Sequence, residues 1–228
     1  IALILSATMA YIYNRYGKRF FGSDIILSLG IMLLVFYGYF TSHTPYINKW
    51  VLVVGILAFL QVMFNNSVEG SIKDLKNDHR HGVKSMGILF GCRPYNNGDD
   101  RLILTWGFIT YAIIIKLAAI FLALYMLMPP HNYNTMKLLI GLILAVIIVT
   151  TMIISLNLAV KEDCMGAQRR RMLKRIFSIH EIATYAQTIT VVSLSLPMNT
   201  AMALFITPLI MYICMNLLLY GHPLEPNV

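Results

Sequence analysis

The recurrence of long apolar runs constrains this chain more than any other feature. Such runs cover 24–42, 47–67, 103–127, 137–158, 176–196 and 200–220. Each approaches the roughly 20 residues that a helix needs to cross a hydrocarbon core. Inside a bilayer every backbone N–H and C=O must be satisfied within the protein, so runs of this kind fold as helices. Only 12% of the residues are charged and 58% are hydrophobic, whereas soluble domains carry about 25% charged residues. The expected fold is therefore all-α, a polytopic transmembrane helical bundle forming a single domain over 1–228. The opening run 1–13 is apolar but too short to span, and it lacks a basic leader and a small-residue cleavage site. It reads as the tail of a spanning helix whose start is missing, which makes the chain a fragment lacking its first helices.

The segments between the runs alternate in basic content. Segment 14–23 holds Arg15, Lys18 and Arg19, and segment 159–175 holds Lys161, Arg169, Arg170, Arg171, Lys174 and Arg175. Segment 68–102 holds Lys73, Lys76, Arg80, Lys84, Arg93 and Arg101, whereas 43–46 and 128–136 have neither Lys nor Arg. This is the positive-inside pattern, and it places the three basic segments in the cytoplasm. It also explains the net charge of +8 through membrane lipids, with no nucleic-acid partner. The expected location is the cell membrane, as a multi-pass integral protein. Cys92, Cys164 and Cys214 show no CxxC spacing and build neither a disulfide framework nor a zinc site.

The polar window 69–91, EGSIKDLKNDHRHGVKSMGILFG, carries the chemistry. Asp74 and Asp78 are four residues apart, which on a helix sets both carboxylates on one face, one turn apart. Two adjacent carboxylates at a membrane boundary repel each other. Mg²⁺ relieves that repulsion, and it typically bridges protein carboxylates to substrate phosphates. Lys73, Lys76, Arg80 and Lys84 surround the pair, so the window suits a metal-bound diphosphate. Asp74 and Asp78 are the candidate metal ligands and catalytic residues.

The pattern Asp74-x-x-x-Asp78-x-x-x-Gly82-Val83-Lys84-Ser85, followed by Ile88-Leu89-Phe90-Gly91, resembles the second aspartate-rich motif of the UbiA superfamily of intramembrane prenyltransferases. The resemblance implies a UbiA-like helical fold, incomplete at the N-terminus, with 68–102 as a cytoplasmic cap over the pocket. It implies Mg²⁺-dependent transfer of a polyprenyl group from a polyprenyl diphosphate to an aromatic or glycerol-phosphate lipid acceptor. Lys18, Lys73 and Lys84 are then candidate diphosphate contacts. Lys18 lies in Tyr13-Asn14-Arg15-Tyr16-Gly17-Lys18-Arg19, where the family often has a Lys-Arg pair after a tyrosine, although the spacing differs by one residue. The family's earlier NDxxD motif would lie upstream of Ile1, so this fragment alone is expected to be inactive.

Other polar residues carry weaker signals. Glu69 reads as an outer carboxylate or a helix-end charge, and Asn65-Asn66 as metal-water ligands or a helix cap. His79 and His81 do not share a helical face. Segment 96–100 reads as a solvated connector. Lys116 stands alone inside an apolar run, where ionisable residues are functional suspects. It supports an alternative, an ion-coupled membrane transporter, although no internal repeat of the transporter kind is present.

Overall fold

The computed structural model describes residues 1–17, 19–42, 48–95, 101–128, 134–160, 166–194, 196 and 198–220. Lys18, the connector 96–100 and Pro129-Pro130 lie outside them. The described residues are almost all helical, as the apolar runs require. They group into two compact units, Ile1–Leu122 and Ala123–Val228.

The first unit begins with α1 (Ala2–Tyr16) and α2 (Ser23–Ser42), which pack together. Ser6 Oγ donates to the carbonyl of Gly30 at 2.8 Å across this contact. Helix α3 (Lys49–Phe64) starts at Asn48, whose side chain accepts the N–H of Val51 at 2.9 Å. This N-cap satisfies one of the four orphan donors of a helix start. A π-helical turn, Asn65–Gly70, continues α3 without a break into α4 (Ser71–Arg80). The short α5 (Met86–Leu89) and a two-stranded antiparallel ribbon follow, β1 (Arg93–Pro94) against β2 (Leu102–Ile103). Thr105 Oγ1 then accepts the N–H of Phe108 at 3.3 Å and opens α6 (Trp106–Leu127).

The second unit holds the last turns of α6, then α7 (Thr135–Val160), α8 (Gly166–Val192) and α9 (Met198–Tyr220). Asn134 caps α7, accepting the N–H groups of Met136 and Lys137 at 3.1 and 3.3 Å. Helices α7 and α8 run antiparallel along a polar seam. Thr151 Oγ1 meets His180 Nδ1 at 2.9 Å. Further along, Gln187 Nε2 donates to the carbonyl of Gly141 at 3.4 Å, and Lys137 Nζ to that of Ser193 at 2.8 Å.

Among the described residues, five stretches are long and apolar enough to cross a membrane: Ser23–Thr41, Lys49–Arg80, Trp106–Leu127, Thr135–Val160 and Asn199–Leu218. Their many exposed Leu, Ile, Met and Phe side chains suit a lipid environment. The expected run 176–196 is not among them. It is the later part of α8, whose buried face carries Ser178, His180, Thr184 and Gln187, and those polar groups are held against α7 and α9 rather than lipid. Residues 166–175, expected in a connecting segment, instead form the first turns of α8.

Candidate functional site

The rod from Lys49 to Arg80 positions the acidic residues. Its π turn closes i→i+5 hydrogen bonds and so carries an extra residue. At about 100° per residue, that insertion turns α4 by roughly 100° relative to a straight continuation of α3. The side chains buried within it and beyond it are Ser67, Val68, Glu69, Ser71, Ile72, Leu75 and Asp78. Two carboxylates therefore lie on the inward side of the rod. Glu69 is 0% exposed and Asp78 1%.

Asp74, one turn before Asp78, is half-buried. The pair thus occupies consecutive turns of one helix, as the spacing predicts, but its members differ in environment. Asp78 lies in the packed seam and Asp74 at its edge. Lys73 pairs with Glu69 across one turn, Nζ to Oε2 at 4.0 Å. Lys84 is exposed, with its ammonium 6.0 Å from the centre of the Phe21 ring. His79 and His81 are exposed, and His81 Nδ1 lies 2.9 Å from the carbonyl of Asn77 at the end of α4.

The rest of the motif explains itself geometrically. Gly82 has φ +61°, and the N–H of Val83 donates to the carbonyl of Asp78 at 2.9 Å. This is the long hydrogen bond of a Schellman turn, which needs a left-handed residue just past the helix end. The turn sends the chain back, so that 85–91 folds onto α4. There Gly87 N–H donates to Ser71 Oγ at 3.0 Å. Ser85 is buried beside it, and its Oγ has no hydrogen-bond partner among the described residues. The Phe90 ring then lies tilted against that of Tyr111, centres 5.1 Å apart, the Phe90 carbonyl accepts Thr105 Oγ1–H at 2.7 Å, and Tyr111 donates to Ser67 Oγ at 2.9 Å. Segment 85–91 thereby ties α4 to α6 through Gly87 and Phe90, and Tyr111 ties α6 to the π turn.

Asp24 is a residue that sequence reasoning missed. It sits in the first turn of α2, is 8% exposed, and lies within electrostatic reach of Tyr111. One signal was available: Asp24 is the only Asp or Glu before Glu69. Asp24, Glu69 and Asp78 are three buried carboxylates in one unit.

Further along the rod, Lys116 is 1% exposed in the middle of α6. Its Nζ donates to Gln61 Oε1 at 3.0 Å and lies 3.9 Å from the centre of the Phe64 ring. Gln61 Nε2 in turn donates to Asn65 Oδ1 at 2.8 Å, and Asn66 Nδ2 to the carbonyl of Val62 at 2.9 Å. The two asparagines therefore brace the π turn rather than cap a helix end. Just outside the spans, burial pushes the Cys92 thiol up from its ordinary value, against opposing hydrogen bonds from Thr105.

Among the described residues no three His, Cys, Asp or Glu side chains are grouped as a metal cage. Mg²⁺ does not ask for one: it is usually held by one or two carboxylates plus substrate phosphates and water. Asp74 and Asp78 supply hard oxygen donors of that kind, so their chemistry fits Mg²⁺. No family model, curated protein or solved structure matches this chain.

Proposed function

We propose that this chain belongs to a UbiA-type intramembrane prenyltransferase, moving a polyprenyl group from its diphosphate to an aromatic or glycerol-phosphate lipid acceptor. One observation carries the reading. Asp74-x-x-x-Asp78-x-x-x-Gly82 forms a helix whose Asp78 runs into a packed seam and whose glycine turns the chain back so that Gly87 docks on Ser71 and Leu75 of the same helix. A solvated acidic turn has no use for that enclosure. The acidic end of the rod lies on the cytoplasmic side of a cell membrane in this reading, as the basic segments predict.

Asp74 and Asp78 would hold Mg²⁺, which when bound neutralises the diphosphate as negative charge builds on it during allylic C–O cleavage. The chain's own residues set the conditions. Burial of Asp78 lowers the local dielectric and strengthens each charge interaction there. Asp74, at the edge, is the member open to an incoming diphosphate. Lys73 and Lys84 are exposed cations on either side of the pair in sequence, where a phosphate oxygen would accept from them.

Pyrophosphate release from geranylgeranyl diphosphate, assayed on the purified gene product with and without Mg²⁺, tests the reading. Asp74→Ala and Asp78→Ala are each expected to lower it by about a hundredfold, the scale for removing one transition-state electrostatic contact. Unchanged release in both variants overturns the assignment. Lys116, fully buried in mid-helix, favours a second reading as an ion-coupled carrier. That reading requires ion flux in proteoliposomes that Lys116→Met abolishes while Asp74→Ala leaves it intact.

A further inference from the structure

The second unit contains a cavity of about 370 Å³ between α7, α8 and α9. Ala186, Ala201 and Phe205 are among its apolar walls, and Lys137, Thr190 and Ser193 line it toward one end of the helices. Among the described residues no Asp or Glu lines it. The cavity therefore has the shape of an amphiphile site, apolar along its length with one cation near its end.

Lys137 is out of place by charge. The start of α8 carries Arg171, Lys174 and Arg175, whereas the other end of the α7–α8 hairpin has Lys137 as its one Lys or Arg among the described residues. The positive-inside pattern gives no reason for a cation there. The hydrogen-bond inventory narrows what it can hold. Thr190 Oγ1 donates to the carbonyl of Ala186 at 2.8 Å, and Ser193 Oγ to that of Thr190 at 2.7 Å. Both hydroxyl protons are thus spent on the backbone. Of the three Lys137 donors, one goes to the carbonyl of Ser193 at 2.8 Å, and two remain for a ligand.

From this arrangement we infer that the cavity binds one chain of an anionic phospholipid, with the headgroup phosphate on Lys137. A headgroup carrying its own cation would find no carboxylate here. Small side chains at Ala186 and Ala201 leave the room that the lipid chain fills.

The test uses the full chain reconstituted with mixed phosphatidylglycerol and phosphatidylcholine, followed by native mass spectrometry of the lipid retained in detergent. Wild type is expected to retain phosphatidylglycerol about fivefold over phosphatidylcholine, the preference one membrane-surface cation confers. Lys137→Gln should bring the ratio to about one, and Lys137→Arg should keep it. Ala186→Leu should lower the total lipid retained while leaving secondary structure intact by circular dichroism. Equal retention of the two lipids by wild type overturns the inference. So does a preference that survives Lys137→Gln, because the arginine-rich start of α8 would then be its source.

Discussion

Gly87 N–H donates to the side chain of Ser71 at 3.0 Å, joining the end of the acidic motif to the helix that carries its aspartates. A Cβ at Gly87 would lie 3.0 Å from the Ser71 Cβ and 3.2 Å from Leu75 Cδ1, so the close approach depends on glycine. Ser71→Ala leaves a buried N–H without its acceptor and is expected to destabilise the fold by about 1–3 kcal/mol. Gly87→Val adds overpacking and should cost at least about as much. Thermal denaturation in a fixed detergent checks both, and unchanged midpoints would show that 85–91 does not dock on α4.

Gly82 is required for a different reason. A Cβ there meets nothing within 4 Å, but φ is +61°. Gly82→Ala should therefore cost about 1–2 kcal/mol through backbone strain alone, and Gly82→Asn less, since Asn tolerates this conformation. Chemical denaturation that ranks Gly above Asn above Ala confirms the Schellman turn. Equal stability of all three excludes it.

Asp78 should separate activity from stability. It is 1% exposed, and burying a charged carboxylate is costly. Asp78→Asn is expected to keep or raise the melting midpoint while lowering Mg²⁺-dependent pyrophosphate release by about a hundredfold, the stability–activity trade-off of a functional site. A variant that unfolds would instead mark Asp78 as structural.

Lys116 and Gln61 are expected to behave as a coupled pair. Gln61→Leu removes the acceptor at 3.0 Å and should destabilise by about 1–3 kcal/mol. The Gln61→Leu/Lys116→Met double variant should recover part of that loss, because replacing both partners by apolar groups is nearly neutral. Additive losses in a double-mutant cycle would show that the two side chains do not interact.

Cys92 sets a pH test. Its thiol is raised above the ordinary 9.0 by burial, with Thr105 opposing. Below the ordinary value both folded and unfolded chains keep the proton. As pH climbs past it the unfolded chain ionises first, so this thiol's contribution to stability is lost as pH rises through the folded-state value. Alkylation of Cys92 by iodoacetamide should be slow in the folded protein at neutral pH and fast after unfolding. Cys92→Ser should flatten the alkaline part of the stability profile.

The apolar runs at 24–42, 103–127, 137–158 and 200–220 could be read directly, because hydropathy is a local property and a bilayer demands it of each segment separately. The same locality placed Asp74 and Asp78 on one helical face. Hydropathy left open whether 176–220 holds one span or two, and there the polar side chains of α8 are matched by Thr151 and Gly141 on another helix. Tertiary structure alone decided that Asp78 is buried and Asp74 lies at the edge. It decided that Asp24 faces the same unit as Glu69, and that Lys116 has Gln61 as its partner. Such outcomes depend on contacts across long stretches of chain, 44 residues between Tyr111 and Ser67 and 55 between Lys116 and Gln61. Spacing along one helix cannot encode them, because desolvation and pairing are set by whichever surface the fold brings opposite.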